Sequence, residues 1–128
     1  MPANPVVHPT LPVVDMVRAR RFYEDKIGLK AVRTDPSPGV LYEAGSGSKL
    51  YIYQRAATKA DHTEAAFEVE DVEATVGDLK SRGVAFEEVD SPQMGIKTVD
   101  GVATMGAMKS AWFKYTEGNI LAVSNMAS

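Results

Sequence analysis

The apolar residues of this chain recur with two different periods, one typical of strands and one typical of helices. Residues 6–13, V-V-H-P-T-L-P-V, predict an extended, irregular edge strand because they are rich in valine and hold two prolines. From Met16 to Ile27 the apolar positions follow a helical spacing. Asp15 before them and Gly28 after them are residue types that begin and end helices. The opening of the chain therefore predicts a strand followed by a helix.

Three further strands are predicted after this helix. Residues 29–34 form the first of them, and the turn D-P-S-P-G follows. Residues 40–44 and 50–54 are apolar runs on either side of a short G-S-G-S loop, which is the layout of a β-hairpin. No helical pattern follows this loop, so it is interpreted as a hairpin turn and not as a phosphate-binding loop.

The same order of elements begins again in the second half of the chain. Residues 65–69 predict a strand, and Asp71 is the expected start of a helix that ends at Gly83. A strand over residues 84–89 follows, and a closing hairpin is predicted around T-E-G-N. The two strands of that hairpin are 111–114 and 120–124.

Residues 90–109 show neither period clearly and are predicted to be one long loop. The segment holds three glycines together with Met94, Met105 and Met108. Loops of this length in a compact domain are more often functional or mobile than idle. Because unbranched thioether side chains repack easily, these methionines are interpreted either as gap-fillers in a small core or as an adaptable lid over a ligand.

The two halves align with each other as a repeat of the order βαβββ. Asp15 and Asp71, both predicted helix caps, stand 56 residues apart. In the closing hairpins the matching offset is 71 residues, which places Tyr51 opposite Ala122. The chain is therefore predicted to be a single domain, residues 1–128, with module 1 over about 5–56 and module 2 over about 62–126.

Two such units cannot bury their apolar faces alone. An α+β fold is therefore predicted, in which two βαβββ modules form paired, curved, four-stranded sheets around a cleft. His8 and Glu64 share the offset of 56 residues. Four pseudo-symmetric positions are expected to point into the cleft: His8, Tyr51, Glu64 and Ala122.

Composition narrows the classes of protein to which the chain can belong. Of its 128 residues 45% are apolar and 24% are charged, which is typical of a soluble globular domain. The net charge of −3 comes without a basic stripe, so neither nucleic acid nor an anionic membrane is an expected partner. The absence of cysteine excludes disulfides, thiolate metal sites and a cysteine nucleophile, and it is compatible with the cytoplasm. The N-terminal residues lack the layout of a signal peptide.

Three stretches resemble the vicinal oxygen chelate superfamily, which includes glyoxalase I, fosfomycin-resistance enzymes, extradiol dioxygenases and bleomycin-binding proteins. The opening H-P-T-L-P-V-V-D-M-V-R-A-R-R-F-Y-E-D-K-I-G-L is similar to the family's first strand and helix. A-A-F-E-V-E-D-V-E-A-T-V-G-D-L-K-S-R-G-V resembles the start of its second module, and A-W-F-K-Y-T-E-G-N-I-L-A-V resembles its closing hairpin. The resemblance implies a glyoxalase-like fold and a homodimer.

In catalytic members of that family one divalent metal lies in the cleft. The resemblance makes His8 the first-strand ligand and puts Glu64 where the second module usually has histidine. Ala122 stands where the closing strand normally carries glutamate, and Tyr51 is its counterpart in the first module. His62 lies two residues from Glu64 and is a further candidate. With two good ligands where about three are needed, the expectation is either no cofactor or a weakly bound divalent metal such as Zn²⁺, Ni²⁺ or Fe²⁺.

Strand alternation divides the aromatic residues between two faces. Tyr51 and Tyr53 alternate with two aliphatic residues, and we expect the tyrosines to face the cavity, where their hydroxyls find water or ligand. Trp112 and Phe113 are neighbours, so one of them should face the core and the other the cleft. The alternation does not decide which.

Three functions remain open. The favoured one is a small-molecule-binding protein with an incomplete set of metal ligands, which needs no metal. Its expected ligand-binding residues are Tyr51, Tyr53, Trp112, Met105 and Met108. The alternative is a metal-dependent lyase, isomerase or dioxygenase acting on vicinal oxygens, with His8 and Glu64 as metal ligands. The third is a metal-free enzyme that uses Glu64 as its base.

Overall fold

Two aspartates begin the two helices, as the sequence predicts. Asp15 Oδ1 accepts a hydrogen bond from Arg18 N at 3.1 Å, and Asp71 Oδ1 accepts one from Ala74 N at 3.0 Å. Each side chain thereby satisfies a backbone donor that has no partner within the helix. Helix α1 spans Met16–Arg20 and continues as a wider π-helical turn over Arg21–Ile27, and helix α2 spans Val72–Ser81.

The computed structural model describes residues 1, 3–114 and 117–125. The chain forms two compact units, Met1–Thr58 and Lys59–Ser128. Their boundary falls between the two predicted modules. No helix in the described part of the chain combines the length and the apolarity needed to cross a membrane.

The first unit holds α1 and a four-stranded mixed sheet. Its strands are β1 (Thr10–Val13), β2 (Lys30–Asp35), β3 (Gly39–Glu43) and β4 (Lys49–Gln54). They lie in the order β1-β4-β3-β2, with β1 parallel to β4 and the other pairs antiparallel. The predicted elements of this half are therefore confirmed, except that β1 begins only at Thr10.

The core of the first unit forms where the helix covers one face of this sheet. Tyr23 from the helix and Tyr42 from β3 are both fully buried, with ring centroids 5.7 Å apart. The Tyr42 hydroxyl donates to Glu24 Oε2 at 2.8 Å, and Arg20 Nε donates to the same oxygen at 2.7 Å. This polar link satisfies the phenol at the edge of the core and ties the helix to the sheet. The other buried apolar residues are Leu11, Val13, Ala19, Phe22, Val40, Leu50 and Ile52.

The second unit holds α2 and a six-stranded mixed sheet. Its strands are β5 (Thr63–Glu68), β6 (Asp90–Ser91), β7 (Ile96–Val99), β8 (Val102–Met105), β9 (Met108–Lys114) and β10 (Ile120–Ser124). They lie in the order β5-β10-β9-β8-β7-β6, with β5 parallel to β10. The α+β class and the glyoxalase-like fold are confirmed, although the second sheet has six strands where four were expected.

The prediction of one long loop over residues 90–109 is wrong. These residues form β6, β7, β8 and the start of β9. The turn between β7 and β8 is Asp100-Gly101, with φ values of 52° and 85°, and it suits a two-residue hairpin. Thr98 and Ala103 face each other across this hairpin and are 7% and 0% exposed. The hairpin is therefore part of the packed sheet, and no long loop exists here to serve as a methionine lid.

The predicted strand over residues 84–89 is reduced to a single bridge. Phe86 pairs with Phe113 in antiparallel fashion, and Glu87 N donates to Trp112 O at 2.8 Å. Beyond Val89 the chain leaves β9 and pairs with β7 instead, because Thr98 N donates to Val89 O at 2.8 Å. The inserted β7–β8 hairpin occupies the edge of β9 that a longer strand would have used.

The pairing register of the two sheets repeats with the predicted offsets. In the first unit Thr10 pairs with Tyr51. The residues 56 and 71 positions further along, Ala66 and Ala122, pair with each other in the second unit. The correspondence of Tyr51 with Ala122 is thereby confirmed at the level of strand register. The shared cleft between the two modules stays a prediction.

Candidate functional site

Trp112 and Phe113 face opposite sides of the second sheet. Phe113 is fully buried beneath α2 and packs edge-on against Phe86 at a centroid distance of 5.3 Å. Trp112 is half-buried on the other face, which α2 does not cover. We call the faces that the helices leave uncovered the open faces. Trp112 pairs with Ala122, which in turn pairs with Ala66, so the three side chains share one row of the open face.

A pocket of about 540 Å³ lies on this open face, within the second unit. Its apolar lining comes from strands β7, β9 and β10 and from the chain between α2 and β7. These apolar residues are Val89, Met94, Ile96, Trp112 and Ile120. Pockets of this size that combine apolar and aromatic walls with a few polar groups are typical small-molecule sites.

Charged side chains form the rim of the pocket. His62 Nδ1 lies 2.9 Å from Asp61 Oδ1, and Lys114 Nζ lies 3.4 Å from Glu87 Oε1. The contact with Asp61 raises the pKa of His62, and the charge of Glu64 adds to the effect. Both ion pairs are solvent-exposed, so they shape the local charge more than they stabilise the fold.

Glu64 occupies a β-bulge at the start of β5. The residue before it pairs with Ile120 and the residue after it pairs with Leu121, so Glu64 is the extra residue between them. A bulge leaves its extra residue out of the ladder and re-aims the side chain. Glu64 is half-buried, and its proposed roles as a base or as a metal ligand stay predictions.

The open face of the first unit carries a second polar cluster. Tyr51 and Tyr53 lie opposite the buried Leu50 and Ile52, in agreement with the predicted alternation. The Tyr51 hydroxyl donates to Asp35 Oδ2 at 2.9 Å, and Arg33 Nε donates to Asp35 Oδ1 at 2.9 Å. Arg33 and Tyr51 both lower the pKa of Asp35, with Arg33 having the larger effect.

Gly39 allows Tyr51 to take this position. A Cβ atom on Gly39 would overlap the hydroxyl and the Cζ atom of the Tyr51 ring. The φ angle of Gly39 lies outside the left-handed region, so the glycine is needed here for space and not for backbone conformation. Tyr51 reaches Asp35 across the backbone of β3 at this point.

Gly39→Ala is expected to push Tyr51 away from Asp35 and to destabilise the protein by about 1–3 kcal/mol, the usual cost of an extra methyl group in a filled space. Urea unfolding of a double-mutant cycle measures this effect. In a Tyr51→Ala background the same glycine change should be nearly neutral or stabilising, since the overlap is gone and alanine suits a strand better than glycine. Equal costs in the two backgrounds would contradict the contact.

The other predicted site residues lie apart from the pocket of the second unit. His8 is exposed and precedes β1 by two residues, in a segment without regular structure. Met105 and Met108 pair with each other beside the β8–β9 turn and are not among the residues that line the pocket. Trp112 is the one predicted ligand-binding residue found there. Roles for His8, Met105 and Met108 stay predictions.

Several pocket residues were not singled out in the sequence. Glu87, Glu88 and Ile96 belong to segments that looked like an ordinary strand end and a loop. Charged residues at strand ends are normally solvated, so no local signal marks them. The alternation of E-E-V with the later I-K-T-V is visible in the sequence, but which strands meet depends on pairing across the sheet.

The donor atoms do not fit a tightly bound catalytic metal. Among the described residues, no group of three or more His, Asp or Glu side chains is placed to hold a metal ion. Ala122 offers only a methyl group, and the Tyr51 hydroxyl is engaged by Asp35. A catalytic site needs about three protein ligands and an open position.

Comparison with known proteins identifies the family. Residues 6–110 match the model of the Glyoxalase/Bleomycin resistance protein/Dioxygenase superfamily. No curated protein sequence matches the chain significantly.

Solved structures share the fold at low sequence identity. UcmS2 aligns with a TM-score of 0.73 and 17% identity, covering 98% of this chain and 99% of its own. TnmS3, an antibiotic binding protein from Streptomyces sp. CB03234, has a TM-score of 0.71 and 20% identity, with 96% of both chains covered. FosX, a fosfomycin resistance protein from Listeria monocytogenes, has a TM-score of 0.72 and 15% identity, covering 98% of this chain and 92% of its own. The family match over most of the chain, together with this shared fold, shows that the protein belongs to the Glyoxalase/Bleomycin resistance protein/Dioxygenase superfamily.

Proposed function

We propose that this protein binds a small molecule with a flat, largely apolar body in the pocket on the open face of its second unit, and that it does so without a metal. The observation that carries the proposal is Trp112. Its indole contributes to the pocket on an uncovered sheet face, where it provides a broad apolar surface. Flat aromatic ligands stack well on such a surface.

The residues around Trp112 support binding more than catalysis. Ala122 and Ala66, in the same row of the sheet, carry only methyl groups and bring neither an acid nor a metal ligand. The histidine at the rim, His62, is paired with Asp61 but is 73% exposed. A general base needs a fixed position against its substrate, which an exposed side chain does not supply.

Two relatives of the same fold make the contrast concrete. TnmS3 is described as an antibiotic binding protein, and FosX has been crystallised with Mn(II) and 1S,2S-dihydroxypropylphosphonic acid. The donor set of the present chain favours a binding role like that of TnmS3 over a metal-dependent reaction. The predicted homodimer is not needed for this proposal and stays a prediction.

The single tryptophan makes the proposal directly testable. In a ¹H–¹⁵N NMR spectrum the chain has one indole N–H resonance, and it reports on the pocket alone. A panel of planar bicyclic and tricyclic compounds should shift this resonance, and EDTA should leave the shifts unchanged. Trp112→Ala should weaken binding at least about tenfold by calorimetry because the stacking surface is lost, and Trp112→Phe should weaken it less.

Two outcomes would contradict the proposal. If no compound moves the indole resonance, the pocket is not a binding site for flat ligands. If EDTA abolishes binding and Mn²⁺ or Zn²⁺ restores it, the metal-dependent lyase, isomerase or dioxygenase alternative takes its place.

A further inference from the structure

The pocket carries more negative than positive charge, although it is floored by an aromatic ring. Three carboxylates line it, those of Asp61, Glu87 and Glu88, against one lysine and one histidine. When His62 is neutral, two negative charges are therefore uncompensated. Glu64, close enough to act on His62, adds a further negative charge beside the rim.

These carboxylates lie on both sides of the tryptophan strand. On one side, Glu87 N donates to Trp112 O at 2.8 Å, so the segment holding Glu87 and Glu88 runs directly beside β9. On the other side, Asp61 precedes β5, whose first residue pairs with Ile120 of β10. A ligand lying on Trp112 therefore has carboxylates on two sides.

We infer that this pocket selects flat aromatic molecules that carry a positive charge, an inference that rests on the function proposed above. Two interactions favour such a ligand at the same place. The face of an indole attracts cations, and tryptophan does so better than tyrosine or phenylalanine. The surrounding carboxylates lower the energy of a cation and raise that of an anion within the Debye length of about 8–10 Å.

Glu88 is the carboxylate that is free to act on a ligand. Asp61 is paired with His62 and Glu87 with Lys114. In the part of the chain that the structure describes, Glu88 has no ion-pair partner, and it is exposed at the rim. Lys114 works in the opposite direction, because it is the one lysine of the lining and would repel a cation.

Three probes of the same shape separate charge from shape. N-methylquinolinium is a cation, 2-methylquinoline is neutral at pH 7.5, and quinoline-2-carboxylate is an anion. Binding of each is followed by the indole resonance of Trp112 in the full-length protein. The cation should bind roughly three- to tenfold more tightly than the neutral probe, and the anion more weakly than both. Added NaCl should reduce the preference because it screens the rim charges.

Charge-removing variants assign the preference to the rim. Glu88→Gln should weaken binding of N-methylquinolinium roughly threefold and leave 2-methylquinoline unchanged, while Lys114→Gln should strengthen binding of the cation. Glu70→Gln is the matched control. Glu70 is exposed, changes the net charge by the same amount, and lies about 20 Å from the start of β5 by the rise of a strand.

The outcomes distinguish this inference from the proposed function. If none of the three probes shifts the indole resonance, binding in the pocket itself is wrong. If 2-methylquinoline or quinoline-2-carboxylate binds as tightly as N-methylquinolinium, the pocket binds flat ligands but the charge preference is wrong. The charge preference is also wrong if Glu70→Gln weakens the cation as much as Glu88→Gln, because the effect would then come from net charge alone.

Discussion

Replacing Phe113 with alanine is expected to lower the free energy of unfolding by about 3–5 kcal/mol, the usual range for removing a fully buried phenylalanine. Phe113 is 0% exposed, packs against Phe86 and lies opposite Leu121 in the sheet. The substitution removes the ring and leaves a cavity between α2 and the sheet, which the neighbouring strands can only partly close. Urea unfolding followed by far-UV circular dichroism measures the change.

The neighbouring residue provides the matched control. Trp112→Ala removes a larger side chain from the same strand, but from the half-buried open face, so its cost should be only about 1–2 kcal/mol. The ranking is informative because residue size alone predicts the opposite order. If Trp112→Ala proves the more destabilising, the assignment of the two aromatic residues to opposite faces is wrong, and the pocket floor must be reassigned.

Replacing Ala122 with glutamate is expected to destabilise the protein by about 3–5 kcal/mol at pH 7, because it introduces an uncompensated buried charge. Ala122 is 3% exposed and stands between Ala66 and Trp112. Burial raises the pKa of a carboxyl group, since the charged form loses its hydration. Ala122→Gln has nearly the same size without the charge, so the difference between the two variants isolates the electrostatic cost.

The sign of the pH dependence follows from the raised pKa. Below about pH 4, the substituted carboxyl is protonated in both the folded and the unfolded chain, and the two variants should be equally stable. As the pH rises, the unfolded chain ionises first and gains free energy over the folded one. The deficit of Ala122→Glu relative to Ala122→Gln should therefore grow with pH until the folded-state pKa is passed. A deficit independent of pH would show that the carboxylate reaches solvent.

The same variant tests the metal expectation derived from the family resemblance. Adding a carboxylate where relatives are expected to carry one should strengthen the binding of Zn²⁺ or Ni²⁺ and reduce the deficit of Ala122→Glu, but not that of Ala122→Gln. Calorimetry of the wild-type protein supplies the baseline, which should show weak binding. A stoichiometric metal already held tightly by the wild type, and lost in His8→Ala, would overturn metal-independent binding.

Local chemistry was enough to predict most elements of the fold. An aspartate before an apolar helical stripe and a glycine after it mark a helix in any context, because the cap satisfies donors within one turn. That is why Asp15, Asp71, Gly28 and Gly83 were predicted correctly. The β7–β8 hairpin was also present in the sequence as V-D-G-V, a strong two-residue turn signal, but the surrounding glycines and methionines were interpreted as a loop.

The sequence by itself determined the family, the repeat and the offset that pairs Tyr51 with Ala122, because each rests on residue order and strand period. Only the tertiary structure decided which of Trp112 and Phe113 faces the core. Alternation requires them to differ, but packing against α2 and Phe86 selects the face. The pocket likewise depends on tertiary structure, since its lining comes from segments around residues 61–63, 87–89, 94–96 and 112–120. Such segments meet only through the hydrogen bonds of the sheet, and these bonds join residues far apart in the chain.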